Sequence, residues 1–305
     1  YKRQKMHYVV YGRGERPLVL IHGNGGSAKS LAEAASYLAD EYTVYVIESR
    51  CHGQSSDPGT IDYESMANDT AQFIAAMKLK KPYIIGHSDG GIIALTLAAR
   101  YPDVPGAIIS CGSNTSPKTM KPYFIIGVKI NNMLRHDKLN DMMLTLPDLT
   151  ADMLGNITAP TYIVAGEHDI MWLSDTVYMH EKIPDSRIAI IKGAGHSTYM
   201  SHDGKQTYVL AKGFFDSFNK TDKPPNGQTQ IPPFGGSFFR LSVFNRSAYY
   251  AMGSFPTEEK TSAEKPKVTV FCPQGSRGRA SAHKNRGSPK GSLIGFLSGP
   301  TAPFA

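Results

Sequence analysis

Short apolar runs alternating with helix-like stretches through the first 220 positions leave few folds open to this chain. The runs lie at 6–11, 18–21, 43–47, 83–85, 107–110, 162–165 and 188–191. The helix-like stretches lie at 28–39, 63–77, 90–100, 174–182 and 205–218. A run such as Leu18-Val19-Leu20-Ile21 is apolar at every position instead of at every second one. That pattern belongs to a strand buried on both faces, which parallel sheets covered by helices require. The expected fold class is therefore α/β, with a mainly parallel sheet flanked by helices.

One interval interrupts the rhythm. Between Ser110 and Tyr162 the only β-like run is Phe124-Ile125-Ile126, and the segment is rich in methionine and aromatic residues, including Met120, Tyr123, Phe124, Met133 and Met143. It reads as one or two helices inserted at about 114–159. Two accounts fit: a crossover whose methionines fill core gaps, or a short helical lid over a pocket. Its position beside the polar loops described next favours the lid.

Charge marks a second boundary. Positions 1–220 carry 22 basic and 22 acidic side chains. Positions 221–305 carry 11 basic against 4 acidic, so the formal charge of +7 lies wholly there. That segment also holds 10 Gly, 10 Pro and 10 Ser, a composition poor at burying a core. The expected organisation is a neutral domain at 1–220 and a basic, disordered tail at 221–305. Basic and aromatic residues together suit nucleic acid or anionic membranes, but an extension without a partner is the simpler account, and no nucleic acid is required. No apolar run approaches the ~20 residues of a membrane span. Tyr1–Met6 is charged with no apolar run after it, unlike a signal peptide. Three widely spaced cysteines, Cys51, Cys111 and Cys272, suggest a reducing, cytoplasmic setting with no disulfide framework. Cys51 and Cys111 are expected to be small buried residues.

The strongest local signal is Gly86-His87-Ser88-Asp89-Gly90, between the run 83–85 and the helical stretch that follows. A Gly-x-Ser-x-Gly between strand and helix is a nucleophile elbow: the serine takes a strained backbone geometry, and the glycines give the turn room. A nucleophilic serine needs a base, and the base needs an orienting carboxylate. Asp169 follows the run 162–165 and His196 follows the run 188–191, so both fall at strand C-terminal ends, where open α/β sheets gather ligands. Glu167 and Asp175 are the nearby alternatives to Asp169. His22-Gly23-Asn24-Gly25-Gly26, after the run 18–21, supplies a sharp turn. The backbone N–H groups of Asn24 and Asp89 are the candidate oxyanion hole. His87 and His168 read as local supports, and His22 as a brace for the oxyanion loop. His22, Trp172, Tyr123, Phe124 and Met133 are the pocket candidates, although Trp172 serves equally well as packing.

These residues together resemble the α/β-hydrolase superfamily, in its branch of lidded bacterial esterase-like enzymes, over about residues 6–218. Glu48-Ser49-Arg50-Cys51-His52-Gly53-Gln54-Ser55 is similar to the family's Asp-x-Arg-Gly-His-Gly-x-Ser turn, with Glu48 and Cys51 in place of Asp and Gly. The run Ser88–Gly91 resembles that of carboxylesterases and of the valacyclovir-hydrolase-like group. The resemblance implies a serine hydrolase acting on a small-molecule ester or related acyl substrate, with neither cofactor nor metal. Dehalogenases and epoxide hydrolases of this fold carry an Asp where Ser88 stands. Lactonases, thioesterases, carbon–carbon hydrolases, acyltransferases and perhydrolases share the triad, and a binding protein on a hydrolase scaffold is the reading from another class.

Overall fold

A computed structural model describes residues 5–198, 200, 204–219 and 241–244. All seven expected strands form: β1 Tyr8–Tyr11, β2 Arg16–Ile21, β3 Tyr42–Ile47, β4 Tyr83–His87, β5 Ala107–Cys111, β6 Thr161–His168 and β7 Ser186–Gly195. A further strand, β8 Leu241–Phe244, pairs antiparallel with β7. The order across the sheet is β1-β3-β2-β4-β5-β6-β7-β8. Pairing from β3 through β7 is parallel, and β1 is antiparallel to β3. The expectation of a disordered tail lies outside the described residues, β8 excepted.

Alternation along each strand feeds two cores. Leu18 and Leu20 of β2 point to one face, where α1 (Ala32–Leu38) and α8 (Gly204–Asn219) cover them through Leu38, Phe214 and Phe215. Val19 and Ile21 point to the other face, against α2 (Tyr63–Ala76), α3 (Asp89–Arg100) and α7 (Leu173–Lys182) through Met66, Ile93 and Met179. Each side chain so buried contributes about 2 kcal/mol. Asp62 starts α2 by accepting the Ser65 N–H at 2.6 Å, satisfying one of the helix's unpaired donors. Among the described residues no helix is long and apolar enough to cross a membrane.

The insertion between β5 and β6 contains three α-helices instead of the one or two expected, α4 Pro122–Arg135, α5 Lys138–Thr145 and α6 Ala151–Gly155, preceded by a 3-10 turn at Pro117–Thr119. Phe124-Ile125-Ile126, β-like by composition, is helical. Pro122 at the first turn already has the φ a helix needs, and the following residues bond back to Lys121. Only α4 and α5 cover the site. α6 buries Leu154 in the core shared with α3 and α7.

α3 begins against the C-terminal end of β2 with no room to spare. A Cβ on Gly90 would stand 2.1 Å from the Ile21 carbonyl oxygen, and one on Gly86 would stand 2.0 Å from the Gly90 carbonyl oxygen. Neither neighbour is a flexible side chain, so the backbone itself must yield. Gly90→Ala should lower stability by about 3 kcal/mol, read as a lower urea midpoint with unchanged slope. A midpoint equal to that of the parent protein would show that the helix start has slack.

Candidate active site

Ser88 sits between β4 and α3 at φ 54° and ψ −118°, a left-handed conformation that a residue with a β-carbon avoids. Its surroundings hold it there. Its N–H donates to the Cys111 carbonyl at 2.7 Å, and its carbonyl accepts from the N–H groups of Gly91 and Ile92 at 2.8 and 3.1 Å. The hydroxyl is thereby presented at the strand's C-terminal end, beside a helix N-terminus.

Asp169 and His196 reach the same edge from β6 and β7. The His196 Nδ1 lies 2.6 Å from Asp169 Oδ1. Asp169 is buried and also accepts the N–H groups of Ile170 at 2.8 Å and Gly166 at 3.2 Å. Burial alone would raise its carboxyl pKa. The His196 contact and the two backbone donors outweigh burial and hold it below the usual carboxylate range. An ionised Asp169 only accepts, so the ring must donate from Nδ1, which makes Nε2 the basic nitrogen of His196.

Ser88, His196, Asn24 and Asp89 all line one cavity of about 330 Å³. A Cβ on Gly23 would come within 3.0 Å of the Ser88 Cβ, so the loop after β2 lies directly against the serine. The opposite wall is apolar, built from Leu31, Met120, Phe124, Met143, Leu146 and Met171. A larger open hollow of about 840 Å³ lies at the N-terminal ends of β2 and β3, beside Lys80 and Lys81, and contains none of the candidate residues.

The turn at 48–55 holds the loop after β2 in place. His22 donates from Nδ1 to the Gly23 carbonyl at 2.7 Å and accepts the Ser49 N–H on Nε2 at 3.1 Å. His52 accepts the Gly25 N–H on Nε2 at 3.1 Å while its Nδ1 donates to the Arg50 carbonyl at 2.9 Å. Glu48 is buried and accepts from Ala28 N–H, Gln54 N–H and His7 Nδ1 at 2.9, 2.6 and 3.0 Å. Burial works against its charge, but these donors prevail and its pKa is lowered. Arg50 clasps Asp69 with two bonds of 2.7 and 2.8 Å. The substitution of Glu48 for the family's Asp is accommodated, because the longer side chain still reaches both backbone donors.

The other candidates separate. Phe124 lines the cavity, whereas Tyr123 and Met133 project into solvent, because the phase of α4 turns them away from the sheet. Trp172 is half exposed beneath the Lys121 ammonium and does not line the cavity. His22 stands behind the loop instead of in the pocket. His168 is exposed beside Glu167. His87 donates from Nε2 to the His196 carbonyl at 2.9 Å. Of the alternatives to Asp169, Asp175 is occupied by the Thr115 N–H and the hydroxyls of Thr115 and Thr119, and Glu167 accepts the Gly193 N–H. Cys111 is buried as expected, but Cys51 is only half-buried, at φ 65°, with its thiol donating to Asp57.

Sequence reasoning missed Tyr63 and the carboxyl of Asp89. The Tyr63 hydroxyl and the Asn24 side-chain amide both donate to Asp89, each at 3.0 Å. The Asp89 pKa is raised because burial outweighs these two donors. A tyrosine one residue inside a capped helix gives no motif that would flag it.

A model of the alpha/beta hydrolase fold matches residues 16–128. The chain has the α/β-hydrolase fold. An abhydrolase domain-containing protein of Schizosaccharomyces pombe is 32% identical over 139 residues, 43% of this chain and 51% of that protein. An esterase/lipase named as putative in Haemophilus influenzae is 31% identical over 113 residues, 37% of this chain and 39% of that protein. The chain thus spans about half, or less, of the curated relatives it matches. Among solved structures, a thermophilic esterase from Thermogutta terrifontis is similar at TM-score 0.59 and 21% identity, covering 71% of this chain and 95% of that one.

Burial pushes His22 down to about 4 from an ordinary 6.5. A depressed histidine pKa means that the unfolded chain binds the extra proton first. Its stability contribution is therefore complete above pH 6.5 and is lost as pH falls from 6.5 towards 4, by about 3 kcal/mol. His22→Gln should reduce, without abolishing, the dependence of the urea midpoint on pH across that window, because burial also lowers His87 to about 4. A slope identical to the parent's would mean that His22 does not titrate as its hydrogen bonds require.

Proposed function

We propose that this α/β-hydrolase is a serine hydrolase that cleaves a carboxylic ester, or a related acyl bond, of a small molecule. The observation that carries the reading is the 2.6 Å His196–Asp169 contact, on the same cavity as a serine held in a left-handed turn. His196 takes the Ser88 proton on Nε2 as the hydroxyl oxygen attacks the carbonyl carbon. Asp169 keeps the imidazole in the required tautomer and stabilises its charged form. The developing oxyanion is assigned to the N–H groups of Asn24 and Asp89, each typically worth ~3 kcal/mol in barrier height. The alcohol departs with the proton from His196, and water then repeats the sequence on the acyl-enzyme.

The apolar wall supports an apolar acyl group, and about 330 Å³ is near the lower limit for a small-molecule site, which favours short chains.

A panel of p-nitrophenyl esters of graded chain length, with a lactone and a thioester included, tests the reading. Turnover should peak at short acyl chains. Ser88→Ala and Asp169→Asn should each lower kcat by ~10⁴-fold or more. A fluorophosphonate probe should label the parent and not Ser88→Ala. A chain that neither turns over any of these substrates nor takes the label is a binding protein on a hydrolase scaffold. Preference for the lactone or thioester would move the acyl substrate class while keeping the triad.

A further inference from the structure

The helix that roofs the cavity turns a second apolar face outward. Tyr123, Ile126, Ile130, Met133 and Leu134 of α4 are between 51% and 74% exposed. At ~100° per residue they fall within an arc of about 100°, the width of a stripe that ordinarily packs on a core. The core-facing side of the same helix is supplied separately by Phe124 and Val128. Two apolar faces on one short helix leave one without a partner among the described residues.

Charge identifies what fits that face. From residue 113 to 136 the chain carries Lys118, Lys121, Lys129 and Arg135 and no acidic residue. Among the described residues none of these four is ion-paired. Half-exposed Trp172 lies beneath Lys121, at the N-terminal end of the stripe. Lys129 borders the stripe along the helix, Lys121 with Trp172 lies at its N-terminal end, and Arg135 closes its C-terminal end; apolar side chains flanked in this way suit the headgroup region of an anionic lipid layer. A second copy of the chain would bring the same basic rim and be repelled. The segment 221–305, with its own charge of +7, is repelled for the same reason.

We propose that α4 is a docking surface for anionic lipid, with Ile126, Ile130, Met133 and Leu134 entering the layer and Lys129 and Arg135 meeting its headgroups. The proposal is independent of the hydrolytic chemistry, because its readout is binding. Cosedimentation of the full chain with phosphatidylglycerol/phosphatidylcholine vesicles, against pure phosphatidylcholine vesicles, tests it. The chain should partition at least ~10-fold more strongly to the anionic vesicles. Ile130→Ser with Leu134→Ser should lower that partitioning about tenfold. Lys129→Glu with Arg135→Glu should abolish the preference for phosphatidylglycerol without changing the unfolding midpoint. Three results overturn the proposal. One is failure of the parent to sediment with anionic vesicles. Another is undiminished binding by both double variants, which would assign the binding to residues outside α4, including the basic tail. The third is a lipid-free dimer that Ile130→Ser with Leu134→Ser dissolves, which would make a second copy the occupant.

Discussion

A serine held at φ 54° between a parallel strand and a helix is the constraint on which the rest of the site depends. Such a residue costs on the order of 1–3 kcal/mol and persists only where its neighbours fix it on every side. Here the neighbours are backbone groups. Cys111 takes the serine N–H, Gly91 and Ile92 take its carbonyl, and the Cα atoms of Gly86 and Gly90 lie where no β-carbon fits. The tightness also explains why the helix after Ser88 is buried almost throughout, from Asp89 to Ala98. A helix start pressed against Ile21 cannot shift without disturbing β2, the strand that carries the loop opposite the serine.

That loop is stabilised by side chains, among them His22, whose pKa burial lowers to about 4. His22 and His52 each donate from one ring nitrogen and accept a backbone N–H on the other, an arrangement only neutral imidazole satisfies. Protonating His22 would replace an acceptor with a donor facing the Ser49 N–H. The turn at 48–55 is thus structural, yet it acts on the site by fixing where the chain from Gly23 to Gly25 runs.

Most of the fold is legible in the sequence, because strands buried on both faces write themselves as unbroken apolar runs. The residues at strand C-terminal ends, Ser88, Asp169 and His196, are legible for the same reason: locating a strand's end locates the residue after it. The pocket wall is not. Which of Tyr123, Phe124 and Met133 faces the cavity depends on the phase of α4, and a helix apolar on both sides gives no phase. Trp172 and Tyr63 show the same limit in opposite directions: the conspicuous residue lies outside the cavity, and the unremarkable one is bonded to Asp89.

Asn24 joins these levels. Its side-chain amide donates to Asp89 at 3.0 Å and lies 3.4 Å from the Leu139 carbonyl of α5, so one planar group spans the residue after the serine and the helices over the cavity. The contact to Leu139 is long and weak, whereas the one to Asp89 is shorter and buried. A displacement of α5 would therefore break the longer bond first and leave Asn24 attached to the serine side. With Tyr63 completing the Asp89 pair, the polar wall is held by hydrogen bonds within the α/β core. The apolar wall combines packing with backbone pairing, because Met120 and Met171 are joined by an antiparallel bridge, flanked by bonds from Lys121 N–H to Ile170 and from Trp172 N–H to Thr119.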